Sequence, residues 1–132
     1  MRVTGEGYAT NIAPARTFGF LRDVETLRQN GLALGGSLEN AVVIGETGVL
    51  NNKLRFPDEF VRHKVLDALG DLALLGHPIV GHLEGQKAGH ALHAALAQKL
   101  ASQPDAWALV THPQLPLLDL PQPVPAPQLQ AT

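Results

Sequence analysis

The chain of 132 residues contains no cysteine, which excludes a disulfide framework, a thiolate metal site and a cysteine nucleophile. A bound metal would have to sit on histidine and carboxylate ligands, and six histidines are present. The chain also lacks a cationic excess. Lys plus Arg number 10 against 12 Asp plus Glu, a net charge of -2, so no broad positive surface serves the counterion release that nucleic-acid binding requires. Nucleic acid is not an expected partner. No apolar run reaches the length of a membrane span, and the first ten residues carry Gly5, Glu6 and Gly7 where a secretory signal would be apolar. The expected location is the cytoplasm, with no transmembrane segment. Solenoid-type repeats are absent as well, and the length suits one compact domain.

Residues 16–30 place Phe18, Leu21, Val24 and Leu27 on one helical stripe, and Gly31 suits the C-terminal cap, which predicts a short amphipathic helix. Short apolar runs at 32–34, 40–44 and 48–51, separated by Gly35-Gly36 and by residues 45–48, predict strands joined by tight turns. Asp58 and Glu59 open the strongest helical pattern, in which Phe60, Val61, Val65, Leu69 and Leu72 recur until Gly76. A strand over 78–83 and a second helix over 87–101, with Leu92, Ala95, Leu96 and Leu100 buried, follow. Seven of the ten prolines lie from Pro104 onward, so residues 104–132 read as a mobile tail. These features predict an α+β fold: a two-layer sandwich of a mainly antiparallel sheet and two long helices. It would span residues 12–103, after a leader over 1–11.

Chemistry concentrates in residues 62–71. On a helix His63, Asp67 and Asp71 fall four apart on one face, and an imidazole and a carboxylate one turn apart can chelate zinc. Asp71 is then placed to support or tune a neighbour. The plainer reading of the pair is an ordinary surface contact worth a few tenths of a kcal/mol. His90, after Gly89, opens the last helix and can give a proton to a leaving amine or stabilise an oxyanion; it can equally be a surface histidine. His77, His82, His93 and His112 fit no metal-ligand spacing and read as structural or solvated. Phe18 and Phe20, half of the four Phe in a chain poor in aromatics, flank Gly19 and leave room for a flat ligand, although core packing is the commoner use of such rings. Lys64 and Lys87 can pair with phosphates or simply face water.

Taken in order, the runs at 13–20, Gly35-Gly36-Ser37, Leu54-Arg55-Phe56, Asp58 to Lys64 with Asp67 and Gly70-Asp71, and Gly89-His90-Ala91-Leu92 resemble the second domain of the UDP-3-O-acyl-N-acetylglucosamine deacetylases, zinc enzymes of lipid A biosynthesis in Gram-negative bacteria. The resemblance covers about residues 12–100. It implies hydrolysis of the substrate's N-acetyl group with Zn2+ as cofactor, and a β-α-β insert near the N-terminus. It further implies that His63 and Asp67 are zinc ligands and that His90 is the charged acid, hydrogen-bonded to Asp71. Thr17 would donate to the oxyanion, Lys64 would meet the nucleotide diphosphate and Phe20 would stack on uracil. Phe18, Val24, Ala33, Ser37 and Ala41 would line a passage for the acyl chain.

The family's first domain supplies a third zinc ligand, a His, and a neighbouring Glu that acts as general base. No Glu-His pair occurs here, and Glu84, the only carboxylate between the two motif segments, has no family role. The expectation is therefore a fragment whose partner is that first domain, with little turnover alone and a tendency to self-associate through the face left uncovered. The family's usual Asn-Asn after the Gly-His-Ala-Leu run is His93-Ala94 here. An alternative is a non-catalytic module that binds the nucleotide sugar or the acyl chain.

Overall fold

The computed structural model describes residues 3–50 and 53–111, which form an α+β arrangement in two compact units, Met1–Gly70 and Asp71–Thr132. The boundary falls inside one helix. Residues 112–132, including His112 and most of the expected tail, and Asn51 of the expected strand over 48–51, lie outside the described residues.

The first unit opens with helix α1 (Gly5–Asn11), where the Thr4 hydroxyl accepts from the Gly7 N–H as a side-chain N-cap. Strand β1 (Thr17–Phe20), helix α2 (Leu21–Gln29) and strand β2 (Ala41–Ile44) follow as a β-α-β unit. The helix expected over 16–30 is thus divided. Its first residues pair with β2 from Thr17 opposite Ala41 to Phe20 opposite Ile44, and only the remainder is helical. Gly31, at φ 74°, caps α2 as its lack of a Cβ allows.

The pairing of β1 with β2 is parallel, which corrects the mainly antiparallel expectation. A helical crossover returns the chain to its starting end, so the second strand runs in the same direction as the first. Val49 adds one antiparallel bridge to Ile44. The strand expected at 32–34 is a loop instead: the Leu32 N–H donates back to the Leu27 carbonyl at 2.9 Å, and the Ala33 carbonyl accepts from the Gly36 N–H at 3.1 Å, so these backbone groups are used locally rather than in a ladder.

The node of this unit is a buried ion pair. Glu59, fully buried at the start of helix α3 (Glu59–Leu72), accepts from the backbone N–H and Nε of Arg16 at 3.0 and 2.9 Å. Its other oxygen accepts from Arg16 Nη2 and the Arg55 N–H, at 3.1 and 2.7 Å. Arg16 also donates to the carbonyls of Leu38 and Lys53, so one guanidinium joins three segments of chain. The Arg16 hydrogen bond, followed by the two backbone N–H groups and the nearby charge, outweighs desolvation and lowers the Glu59 pKa to about 2.

In the second unit α3 ends at Leu72 and tightens into a 3-10 turn (Ala73–Leu75) that stops at Gly76, φ 80°, as the glycine predicts. Residues 78–83 form no strand, and Ile79, Val80 and Leu83 are exposed. Helix α4 (His90–Ala101) begins three residues later than expected, because Lys87 adopts a left-handed backbone, φ 51°, and Gly89 is the extended N-cap. Its buried face is His93 and Ala97 with half-buried Leu96 and Leu100, whereas Leu92 and Ala95 of the expected stripe are exposed. The rotation follows from His93, whose hydrogen bond to Asp71 holds its ring inward at 2.8 Å. Trp107 closes the helix end by donating Nε1–H to the Leu100 carbonyl at 2.8 Å.

Candidate functional site

Helix α3 brings His63 and Asp67 together, with Nε2 of the imidazole 3.3 Å from Oδ1 of the carboxylate and both side chains nearly buried, 14% and 11% exposed. On its other side His63 directs Nδ1 at the Ala15 carbonyl, 3.1 Å away. A carbonyl oxygen only accepts, so Nδ1 carries the proton and Nε2 turns its lone pair toward the carboxylate. Two lone pairs repel at that range unless a second proton or a cation stands between them. Two ligands about 2.1 Å from a tetrahedral zinc lie about 3.4 Å apart, and a ligating histidine commonly donates its other N–H to a carbonyl. The pair and its surroundings therefore fit zinc.

The Arg16–Glu59 node fixes the position of Ala15, which is itself buried. Phe18 stands edge-on to Phe60 at 4.9 Å and to His63 at 6.2 Å between centroids, so it packs around the metal-ligand candidate. Lys64 binds Asp67 Oδ2 at 2.7 Å and lies 5.4 Å over the Phe18 ring. Asp67 thus divides its two oxygens between His63 and Lys64.

The remaining candidates of the first unit are more dispersed. Thr17 is exposed at the start of β1 with Ala41 as its neighbour on β2. Phe18 pairs with Val42, so strand alternation sets Ala41 on the sheet face opposite Phe18. Phe20 is exposed, with the Arg22 guanidinium 4.8 Å over its ring. Val24 lines a shallow depression on α2 with Leu21, Glu25, Arg28 and Gln29. Ala33 and Ser37 are exposed in the loop after α2, where Ala33 takes a left-handed backbone at φ 53°. Lys87, exposed in the second unit, shares that conformation. Ala33 and Lys87 are the non-glycine residues with positive φ among those described, and such geometry is uncommon outside Asn, Asp and Gly.

In the second unit Asp71 Oδ2 accepts from Nδ1 of His90 and Nδ1 of His93, both at 2.8 Å. The hydrogen bond from His93, then that from His90, holds the Asp71 pKa below the usual carboxylate range despite desolvation. An ionised carboxylate only accepts, so both Nδ1 atoms carry protons. Ligand atoms of these three residues lie within 4.8 Å of one another, a spacing that can also hold a metal ion. His82 meets Glu84 at 3.2 Å on the surface.

Sequence reasoning missed three residues: Arg16 and Glu59, which build the first unit, and His93, which shares the Asp71 carboxylate. Spacing gave a partial signal for His93, since it stands one turn after His90, but Asp71 is distant in sequence. Among the described residues no helix is long and apolar enough to cross a membrane.

A family model described as UDP-3-O-acyl N-acetylglycosamine deacetylase matches residues 1–102. The UDP-3-O-acyl-N-acetylglucosamine deacetylase of Syntrophotalea carbinolica is 57% identical over 111 residues, covering 83% of this chain and 36% of the relative. Its namesakes in Myxococcus xanthus and Acidithiobacillus ferrooxidans are each 58% identical, over 78% and 80% of this chain and 33% and 35% of their own lengths. The chain spans about a third of the length of the curated relatives it matches. With the match covering most of the sequence, the chain belongs to the UDP-3-O-acyl N-acetylglycosamine deacetylase family.

Proposed function

We propose that this chain provides two zinc ligands and the acid of a cytoplasmic deacetylase that hydrolyses the N-acetyl group of UDP-3-O-acyl-N-acetylglucosamine in lipid A biosynthesis. The observation that carries the reading is His63, with Nδ1 committed to the Ala15 carbonyl and Nε2 facing Asp67 at 3.3 Å. Zinc held there would supply Lewis acidity to the amide carbonyl. Thr17 donates to the carbonyl oxygen as it gains charge. Water adds to the acyl carbon as the general base takes its proton; the C–N bond then breaks as His90, held through Nδ1 by Asp71, protonates the departing nitrogen, so acetate and the free amine result.

Lys64 leaves Asp67 to meet the diphosphate, Phe20 stacks on the uracil and Lys87 adds positive charge for the phosphates. Phe18, Val24, Ala33, Ser37 and Ala41 contact the acyl chain. The third ligand and the general base come from a first domain, and the present α+β segment forms part of a two-layer sandwich over 12–103, with 1–11 as leader and 104–132 as tail.

A chimera tests this reading: residues 1–102 replace the matching segment of the Myxococcus xanthus relative, and acetate release from UDP-3-O-acyl-N-acetylglucosamine is measured with zinc. Zinc-dependent release that is lost in His63→Ala and reduced in His90→Ala is the expected result. A folded chimera without activity, beside an active parent, contradicts the proposal.

A further inference from the structure

His93 is a buried imidazole for which the reaction above has no use. It nevertheless makes the better-anchored of the two bonds to Asp71. Its side chain is 7% exposed and lies one turn into α4, whereas the His90 side chain is 71% exposed on the first residue of that helix. The two rings stand nearly perpendicular, 87° between planes and 6.4 Å between centroids, so each reaches one carboxylate oxygen without clashing with the other. First-turn residues are where helices fray, so His90 alone has little to hold its ring. A fixed acceptor changes that.

We infer that His93 is a positioning residue for His90, acting through Asp71. By donating Nδ1–H to Oδ2 from the buried side, His93 holds the Asp71 carboxylate in one rotamer. That rotamer presents the same oxygen to His90 Nδ1–H, which fixes the His90 ring and its tautomer and leaves Nε2 as the nitrogen available to a substrate. The functional value of this arrangement rests on His90 being the acid. The arrangement itself does not.

The side-chain nitrogen of asparagine stands the same number of bonds from the backbone as histidine Nδ1 and is also a donor, so His93→Asn keeps the contact that His93→Leu removes. The test is the imidazole 15N signature of His90 in the full chain, recorded where the ring is neutral, alongside the melting temperature. Wild type is expected to show His90 in the Nδ1–H tautomer, His93→Asn to retain it and His93→Leu to lose it. An Nε2–H tautomer in wild type overturns the inference even if His93→Leu fails to fold. So does a folded His93→Leu with an unchanged signature, or a folded His93→Asn that behaves as the leucine variant. None of these outcomes depends on acetate release, so failure of the inference is separate from failure of the deacetylase reading.

Discussion

Arg16 and Glu59 lock together 43 positions apart in sequence, with the Glu59 side chain fully buried and both of its oxygens occupied. The pair sets the Ala15 carbonyl against His63, so the orientation of a metal-ligand candidate depends on a contact that includes neither zinc nor substrate. Removing one partner leaves the other charge buried and uncompensated.

Glu59→Gln should therefore destabilise the chain by about 3–5 kcal/mol in urea unfolding, the cost of an orphaned buried charge. Arg16→Met should cost a similar amount, and the double variant less than the sum of the two. A loss below about 1 kcal/mol for Glu59→Gln would place the organisation of this unit elsewhere.

Acid should act on the same node. The folded-state pKa of Glu59 is about 2 against an ordinary 4.5, so its contribution is fully present above pH 4.5 and is lost as pH falls toward 2. Across that window the loss is on the order of 3 kcal/mol. Asp71, whose pKa is also lowered, adds a loss of the same sign. Urea midpoints at pH 5 and pH 3 check this, and Glu59→Gln should show a smaller drop between them than wild type does.

Lys64 holds Asp67 Oδ2 at 2.7 Å and brings a positive charge to the position proposed for a cation. Lys64→Met should tighten zinc binding to the chain about two- to fivefold, since a partly exposed ion pair is worth about 0.5–1 kcal/mol. In the active chimera the same change should raise KM through the lost diphosphate contact. Calorimetry and steady-state kinetics read the two effects separately.

The helical face of His63 and Asp67 was legible because α-helix geometry is local: residues four apart meet whatever the remainder of the chain does. Gly31 and Gly76 also act as caps where expected, since each sits at positive φ. Strand direction was not legible. The Thr17–Phe20 segment shows the same apolar residues whether it continues into α2 or pairs with Ala41, and only the crossover makes the pairing parallel. Glu59 illustrates the other limit. An acidic residue at a helix start has a sufficient local explanation in the helix dipole, which conceals a partner 43 residues away. His93, expected as structural or solvated, is buried, and its partner was not legible because the carboxylate that turns it inward lies 22 residues before it.

Zinc titration of the purified chain by calorimetry tests directly whether His63 and Asp67 form the zinc-binding pair. The comparison is among His63→Ala, Asp67→Ala and His93→Asn. Wild type and His93→Asn should bind one zinc alike, while His63→Ala and Asp67→Ala should each lose at least tenfold in affinity, as loss of one of two ligands requires. Zinc binding that survives His63→Ala but disappears in His93→Asn would move the metal to Asp71, His90 and His93 and contradict its assignment to His63 and Asp67.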